Sequence, residues 1–357
     1  MLDAFESRAS ATATPQRYRV RAADAADAEG WNEFLNQRAD GTFFHRFEWA
    51  EILQRAFGHK SHFLLAERLG QIGGILPLAR VNSWLFGDAL ISTPFCAYGG
   101  ILAADQAAFD ALEAGARQLA HELHVDYLEM RNRRRQHPDW PCRDLYVTFR
   151  KEFYDSSEKN MLAIPRKQRA MVRKGLQKGL RSEIDADVER HYAMYSESLR
   201  NLGTPVFSKR YLKILRGAFG DACEVLTITH HGEPVASVLS FYFKNEVIPY
   251  YGGGTSAARS VAGNDFMYWE VMERARQCGK SVFDFGRSKR GTGAFDFKRN
   301  WGFEPDPLFY EYHLVAAREV PNVSPVNPKY RWFIRTWQRL PLWLTRIAGP
   351  WVAAALG

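Results

Sequence analysis

Two stretches of this chain carry residue types that can hold an anion. The first is Arg259-Ser260-Val261-Ala262-Gly263, followed by Asn264 and Asp265. Before it lies an apolar, β-prone run at 247–251, which Gly252, Gly253 and Gly254 are expected to end in a loop of unusual backbone freedom. After it Met267, Val271, Met272, Ala275 and Cys278 recur at helical spacing up to Gly279, with Asn264 or Asp265 placed to cap the first turn. Strand, glycine-bearing loop and helix together aim helix-start amides and the positive end of the dipole at whatever the loop encloses. Tyr251 and Gly253 would stand at its wall, although aromatic core packing is an equally open fate for the tyrosine.

The second stretch runs from Lys159 to Arg181 and holds eight basic residues and no acidic one. Pro165 suits a first helical position, and Arg166, Arg169 and Arg173 then share one face while Val172 and Leu176 share another. Such a helix can bury one side and offer arginines, which grip phosphate bidentately, on the other; a solvated surface helix is the competing reading. Asp284 follows on a short strand between Phe283 and Phe285, which point the opposite way, so it is a candidate base or orienting carboxylate, or a satisfied structural one. Arg287 sits just past that strand, where strand ends meet ligands in open α/β sheets. His230 and His231 fall in a hairpin turn and read as turn residues.

The elements that must position these groups occur twice. Ala56-Phe57-Gly58, a hairpin about Leu69-Gly70, Tyr98-Gly99-Gly100, a helix near 106–123 and a strand at 127–130 ending in Arg131 have counterparts in Ala218-Phe219-Gly220, a hairpin about His231-Gly232, Tyr251-Gly252-Gly253, the helix up to Cys278 and the strand ending in Arg287. This order reads as an internal duplication. The first copy is placed at residues 18–150 and the second at 151–320. A small, polar, alanine-rich segment at 1–17 reads as disordered, and a proline-punctuated linker leads into a basic tail over 321–357.

With 357 residues, 46% of them hydrophobic, the chain can bury two cores of ordinary domain size. Its four cysteines are scattered without CxxC or histidine pairing, which indicates neither a disulfide framework nor a zinc or other metal site and fits a reducing cytoplasm. The N-terminus lacks the basic and apolar regions of a secretory signal, and no uncharged apolar run approaches a membrane span. Of the net charge of +8, the tail after Glu319 supplies +5 through Lys329, Arg331, Arg335, Arg339 and Arg346, so the remainder is close to neutral and not coated for nucleic acid.

The loop from Arg259 resembles, loosely, the Q/R-x-x-G-x-G/A pyrophosphate loop of GNAT-type acyltransferases, with Ala262 and Asn264 where small glycines are expected. Phe283-Asp284-Phe285-Gly286-Arg287-Ser288, then Phe297-Lys298-Arg299-Asn300-Trp301-Gly302-Phe303, resembles the close of the FemAB-like branch of that superfamily, and the basic stretch resembles the "R..IR.A.K.G" helix near the start of its second domain. The resemblance covers most of residues 20–315. It implies an α/β fold of two tandem GNAT-like domains with mixed sheets, the chemistry in the second copy and the acceptor in the cleft between them. Acyl transfer to an amine needs a held carbonyl and a donor for the charge developing on its oxygen, and the family pattern gives that task to Lys298, on what reads as a terminal strand. The donor is then acyl-CoA or aminoacyl-tRNA rather than a bound cofactor. Acyl-CoA is favoured, because there is no room for the long helical hairpin of some Fem enzymes.

Trp332, Phe333, Trp337, Trp343 and Trp351 interleave with the tail's arginines, which suits an anionic lipid interface at residues 329–357; packing of the indoles on the protein's own body is equally open. The whole chain, tail included, also resembles Fem-like proteins associated with exosortase/PEP-CTERM and exopolysaccharide loci. The expectation is therefore a cytoplasmic, peripherally membrane-associated N-acyltransferase acting on an amine of a cell-envelope saccharide or peptidoglycan precursor. The competing expectation is a non-catalytic duplicated-domain scaffold that binds anionic glycan or membrane.

Overall fold

The computed structural model describes residues 17–83, 87–320 and 328–355. The segment at 1–17, apart from its last residue, and most of the proline-punctuated linker lie outside them. The first copy begins with β1 (Arg19–Ala22), α1 (Ala28–Gln37) and α2 (Trp49–Phe57), followed by β2 (Leu64–Arg68), β3 (Gln71–Leu76), β4 (Leu78–Ser83) and β5 (Gly87–Ser92). It is completed by β6 (Leu102–Ala103), α3 (Gln106–Glu122) and β7 (Tyr127–Asn132). Next come β8 (Cys142–Arg143), β9 (Tyr146–Glu152), α4 (Ser157–Ala163) and α5 (Arg166–Gln177). The second copy repeats the plan with β10 (Arg181–Asp185), α6 (Glu189–Leu202), α7 (Lys209–Phe219), β11 (Cys223–His230), β12 (Glu233–Phe243), β13 (Glu246–Gly254), α8 (Ser256–Val261), α9 (Gly263–Gln277) and β14 (Val282–Asp284). The chain closes with β15 (Ser288–Lys289), α10 (Gly293–Asn300), β16 (Pro305–Pro307), β17 (Phe309–Leu314), α11 (Pro328–Arg339) and α12 (Leu342–Ala354).

Both hairpins form as their turn residues require: Leu69 and Gly70, and His231 and Gly232, all have positive φ, the geometry of a two-residue turn that matches strand twist. The return arm of the first hairpin is broken into two strands, β3 and β4. Pro77 has no N–H to continue the ladder, and the chain bends there from the sheet β1-β2-β3-β6 into the sheet β4-β5-β7-β17-β8. The second copy's sheet, β10-β11-β12-β13-β14-β9-β15, repeats the same order unbroken, with β16 also on β9. In each copy one parallel pair interrupts an antiparallel meander, β5 with β7 and β13 with β14.

The boundary drawn at 150/151 falls inside β9, and the copies exchange strands across it. β9 pairs with β14 of the second copy, while β17, from beyond the second copy, pairs with β7 of the first. The two halves also share one aromatic core: Phe43 stacks on Phe241 with centroids 4.3 Å apart, and Phe219 lies against Phe43 and Trp49. Burying each such ring stabilises the fold by roughly 1.5–3 kcal/mol, so the copies are not separable units.

The tail is two helices joined at Pro341. One face packs on the body: Trp337, Thr345, Gly349 and Ala353 are buried, Arg346 Nε donates to Ser196 Oγ at 2.9 Å, and His59 Nε2 lies 3.0 Å from the Ala354 carbonyl. Gly349 is needed because a Cβ there would stand 3.0 Å from the backbone N and O of Val206. Gly349→Val is therefore expected to lift α12 off the body, and limited proteolysis should then remove residues beyond about 340 at protease levels that leave the native chain intact.

Candidate active site

β13 and β14 run parallel but pair only at Glu246↔Val282 and Val247↔Phe283, so the rest of the longer strand diverges from its neighbour. At the point of divergence Leu239 faces Tyr251 while Ser240 faces Pro249, which leaves Tyr250 as the extra residue of a bulge. A bulge takes backbone groups out of the ladder and turns them toward a ligand. The glycines behave differently from the expectation of a loop. Gly252, Gly253 and Gly254 stay in β13, paired with Val238, Ser237 and Ala236. They are required for close approach, since a Cβ on Gly253 would lie 2.7 Å from Ser198 Cβ of α6 and one on Gly254 2.4 Å from Asn264 Oδ1.

The expected loop is largely the short helix α8, which its Ser-Ala-Ala sequence favours, and Arg259 is exposed on it. Ala262 then turns left-handed (φ 60°) and α9 starts at Gly263 with no side-chain cap, so neither Asn264 nor Asp265 serves as one. Asp265 instead accepts from Gln168 Nε2 at 2.7 Å and from Trp301 Nε1 at 3.1 Å, and burial raises its pKa against those two bonds. The counterpart helix of the first copy is closed: Asp105 caps α3 through the Ala108 N–H at 2.8 Å and is itself held by Tyr18. The α3 start thus carries a side-chain cap and the α9 start does not.

The basic helix arrives at the same spot. α5 crosses the first turn of α9, through the Gln168–Asp265 bond at one end and Gly175 against Phe266 at the other, where a Cβ would be 2.8 Å away. Its buried face is Gln168, Val172 and Gly175, whereas Leu176, expected inside, is exposed. Arg166 and Arg173 are exposed, and the half-buried Arg169 has an Nε without a hydrogen-bond partner. The α9 start and α5 thus meet in one corner through the Gln168, Val172 and Gly175 side of α5, with Arg166 and Arg173 on its solvent-facing side.

Past β14 the chain turns sharply, with Gly286 at φ 68° beneath the Tyr250 ring. Lys298 lies on α10 rather than on a strand. Its ammonium donates to the carbonyls of Phe285, Gly286 and Arg287 at 2.6, 2.9 and 3.2 Å. Burial pushes this amine down to about 7, with the Asp284 carboxylate opposing the shift. Asp284 is wholly buried and accepts from Tyr98 Oη, from Thr148 Oγ1 at 2.9 Å and from the Gly286 N–H at 2.8 Å, with Arg150 Nε 3.3 Å away. Arg150 in turn pairs with Glu246 of β13. Arg287 donates to Tyr310 Oη at 2.8 Å and lies over the Tyr146 ring.

Tyr98 belongs to the first copy. Residues 93–101, between β5 and β6, reach across to the second copy. The Phe95 carbonyl accepts from Tyr250 Oη at 2.9 Å and the Ala97 carbonyl from Tyr310 Oη at 2.7 Å. Tyr251 is buried, bonded to Tyr211 Oη at 2.9 Å, and therefore backs the wall rather than lining it. Tyr98, Thr148, Arg150 and Glu246 carry no sequence signal, apart from the place of Tyr98 in the duplicated Tyr-Gly-Gly. Among the described residues no cluster of metal ligands is present and no helix is long and apolar enough to cross a membrane.

A divergent parallel pair, a bulge beside it and an open helix start define a GNAT domain, and the strand order shows two of them in tandem. Residues 166–299 match the family model described as an acetyltransferase (GNAT) domain. The chain is similar to the crystal structure of FemX (TM-score 0.62, 13% identity, 84% of this chain and 98% of that one). It is also similar to the C-terminal domain of a putative lysylphosphatidylglycerol synthetase from Agrobacterium fabrum (TM-score 0.56, 14% identity, 81% and 92%). A third likeness is to a tandem GNAT protein from the clavulanic acid biosynthesis pathway (TM-score 0.52, 12% identity, 85% and 99%). No curated protein matches the sequence. The chain thus has a duplicated GNAT fold like that of FemX, with the family-model match confined to residues 166–299.

Proposed function

We propose that this protein is an N-acyltransferase that moves an acyl or aminoacyl group from acyl-CoA or aminoacyl-tRNA to an amine of a cell-envelope polysaccharide or peptidoglycan precursor, working beside an anionic membrane surface through its C-terminal helices. The observation that carries the reading is the start of α9, which has no side-chain cap and against which the basic helix α5 packs through Gln168 and Gly175. The donor's phosphates occupy that corner, held by Arg166, Arg169, Arg173 and Arg259 with the amides of Gly263 and Asn264. Its carbonyl lies against the bulge, whose backbone amide takes the developing negative charge. The acceptor amine forms the new C–N bond as the thioester or ester C–S or C–O bond breaks, and the proton it sheds is taken up, through solvent, by the departing CoA sulfur or tRNA ribose oxygen. Asp284 and Lys298 act by fixing the turn at 285–287 that carries Arg287, which meets the acceptor in the cleft between the copies.

Calorimetric titration with acetyl-CoA, longer acyl-CoAs and charged tRNA tests this directly. Micromolar binding of one donor is expected. Replacing Arg166, Arg169 and Arg173 together by Gln should weaken it about tenfold, at a few tenths to 1 kcal/mol for each partly exposed cation. Binding of none of these donors would remove the proposal and leave the scaffold reading.

A further inference from the structure

Between α2 and α7 lies a groove of about 450 Å³, the size of a small-ligand site, walled by Arg55, Lys209, Arg210 and Lys213 over a floor of Ile214 and Ala218. It lies outside the acyl-transfer machinery described above. Its charges are only partly neutralised. Lys209 and Lys213 share Glu189, at 2.6 and 2.9 Å, and Arg55 pairs with Glu51, while Arg210 has no ion-pair partner among the described residues. Three of these cations crowd the first turns of α7, where the helix dipole disfavours positive charge, so the helix itself gains nothing from them.

The groove has a particular neighbour. α12 docks on Val206, three residues before Lys209, and on His59, four residues after Arg55. With its small residues turned inward, α12 presents Trp343, Ile347 and Trp351 outward at successive turns, 62%, 61% and 81% exposed, and Trp332 of α11 is also exposed. These are not residues in search of a core, because the opposite face of the same helix is already anchored. A row of indoles beside arginines, with no acid after Glu319, matches the chemistry of the boundary between acyl chains and anionic headgroups.

We infer that the α2–α7 groove binds the phosphate of an anionic lipid headgroup, presented to it by a bilayer into whose interface Trp343, Ile347 and Trp351 insert. Ile214 and Ala218 would face the glycerol, and the four cations the phosphate. The inference rests on the reading of the tail as membrane-facing and not on the acyl-transfer chemistry.

The test is flotation of the full-length protein with vesicles of phosphatidylcholine alone or mixed with phosphatidylglycerol. Binding to the mixed vesicles only is expected. Lys209→Gln, Arg210→Gln and Lys213→Gln together should weaken it roughly 100-fold, from the attraction of each surface cation to an anionic leaflet. Gly217→Leu should weaken it too: a Cβ there meets nothing within 4 Å, so the side chain fills the groove without disturbing the fold. Trp343→Ser with Trp351→Ser should also reduce binding. If the tryptophan variant loses binding while the groove variants keep it, the headgroup site is wrong and the membrane-facing tail stands. If the wild-type protein ignores both vesicles, both are wrong. Release from vesicles by soluble glycerol phosphate at equal phosphate concentration, or a light-scattering dimer abolished by the tryptophan changes, would replace the bilayer by a free phosphate or a second copy and overturn the inference.

Discussion

Asp284→Ala is expected to lower the unfolding free energy by about 3–5 kcal/mol in urea titration, the cost of breaking a buried charge pair by removing one partner. The carboxylate is wholly inaccessible, and it gathers Tyr98 from the first copy, Thr148 from the exchanged strand β9, the N–H of Gly286 and the guanidinium of Arg150. Alanine leaves two hydroxyls and an amide without their acceptor, and Arg150 with Glu246 alone. Asp284→Asn keeps the size and one acceptor oxygen, so it should fall between alanine and wild type. Thr148→Val, which removes one hydrogen bond to the carboxylate, should cost about 1.5–3 kcal/mol. This order, with Asp284→Ala the most damaging, Asp284→Asn next and Thr148→Val the least, follows if Asp284 ties the copies together. An Asp284→Ala protein as stable as wild type but inactive would instead restore the carboxylate to the role of a base.

How much of this arrangement could be read in advance differs from element to element. The hairpins were legible because Leu69-Gly70 and His231-Gly232 demand one kind of turn, and the duplication was legible because those turns recur with Ala-Phe-Gly and Tyr-Gly-Gly in the same order. The glycines at 252–254 were read as freedom, whereas in the fold they mark contact: a missing Cβ serves a packed helix as well as a loop, and only the position of α6 decides between the two. The exchange of β9 and β17 was illegible. Each strand is buried on both faces over three successive residues, Val147 to Phe149 and Tyr310 to Tyr312, and nothing local says that its partner belongs to the other copy. Asp284 was correctly placed opposite Phe283 and Phe285, yet its role depends on Tyr98, 186 residues away. The convergence of the basic helix on the start of α9 was likewise hidden, because it rests on the bond between Gln168, which carried no signal, and Asp265, which was expected to cap its own helix.

Lys298→Met is expected to destabilise the protein and to do so in a pH-dependent way. Methionine keeps the apolar stem and removes the three donors, leaving the carbonyls of Phe285, Gly286 and Arg287 unpaired in a buried turn at about 1–3 kcal/mol for each one that finds no water. Burial holds the folded amine at about 7, against 10.5 for a free lysine. Between those values the unfolded chain carries one more proton than the folded one, so the stability of the wild type rises with pH across that window, by up to about 1.4 kcal/mol per unit, and gains nothing from this group below it. The variant has no such group. The gap in unfolding free energy between the two proteins should therefore widen from about pH 7 to about pH 9 and stay constant below about pH 6. A constant gap throughout would mean that the three carbonyls keep the amine charged despite its burial. Activity offers the second readout. Because the amine acts through the turn that carries Arg287, Lys298→Met should cut kcat by about 100-fold, as a displacement of about 1 Å at a positioning group does, with a smaller change in donor affinity. Lys298→Arg, which retains charge and donors, should recover part of that loss; if it recovers none while the turn stays ordered, the amine itself meets the reacting atoms.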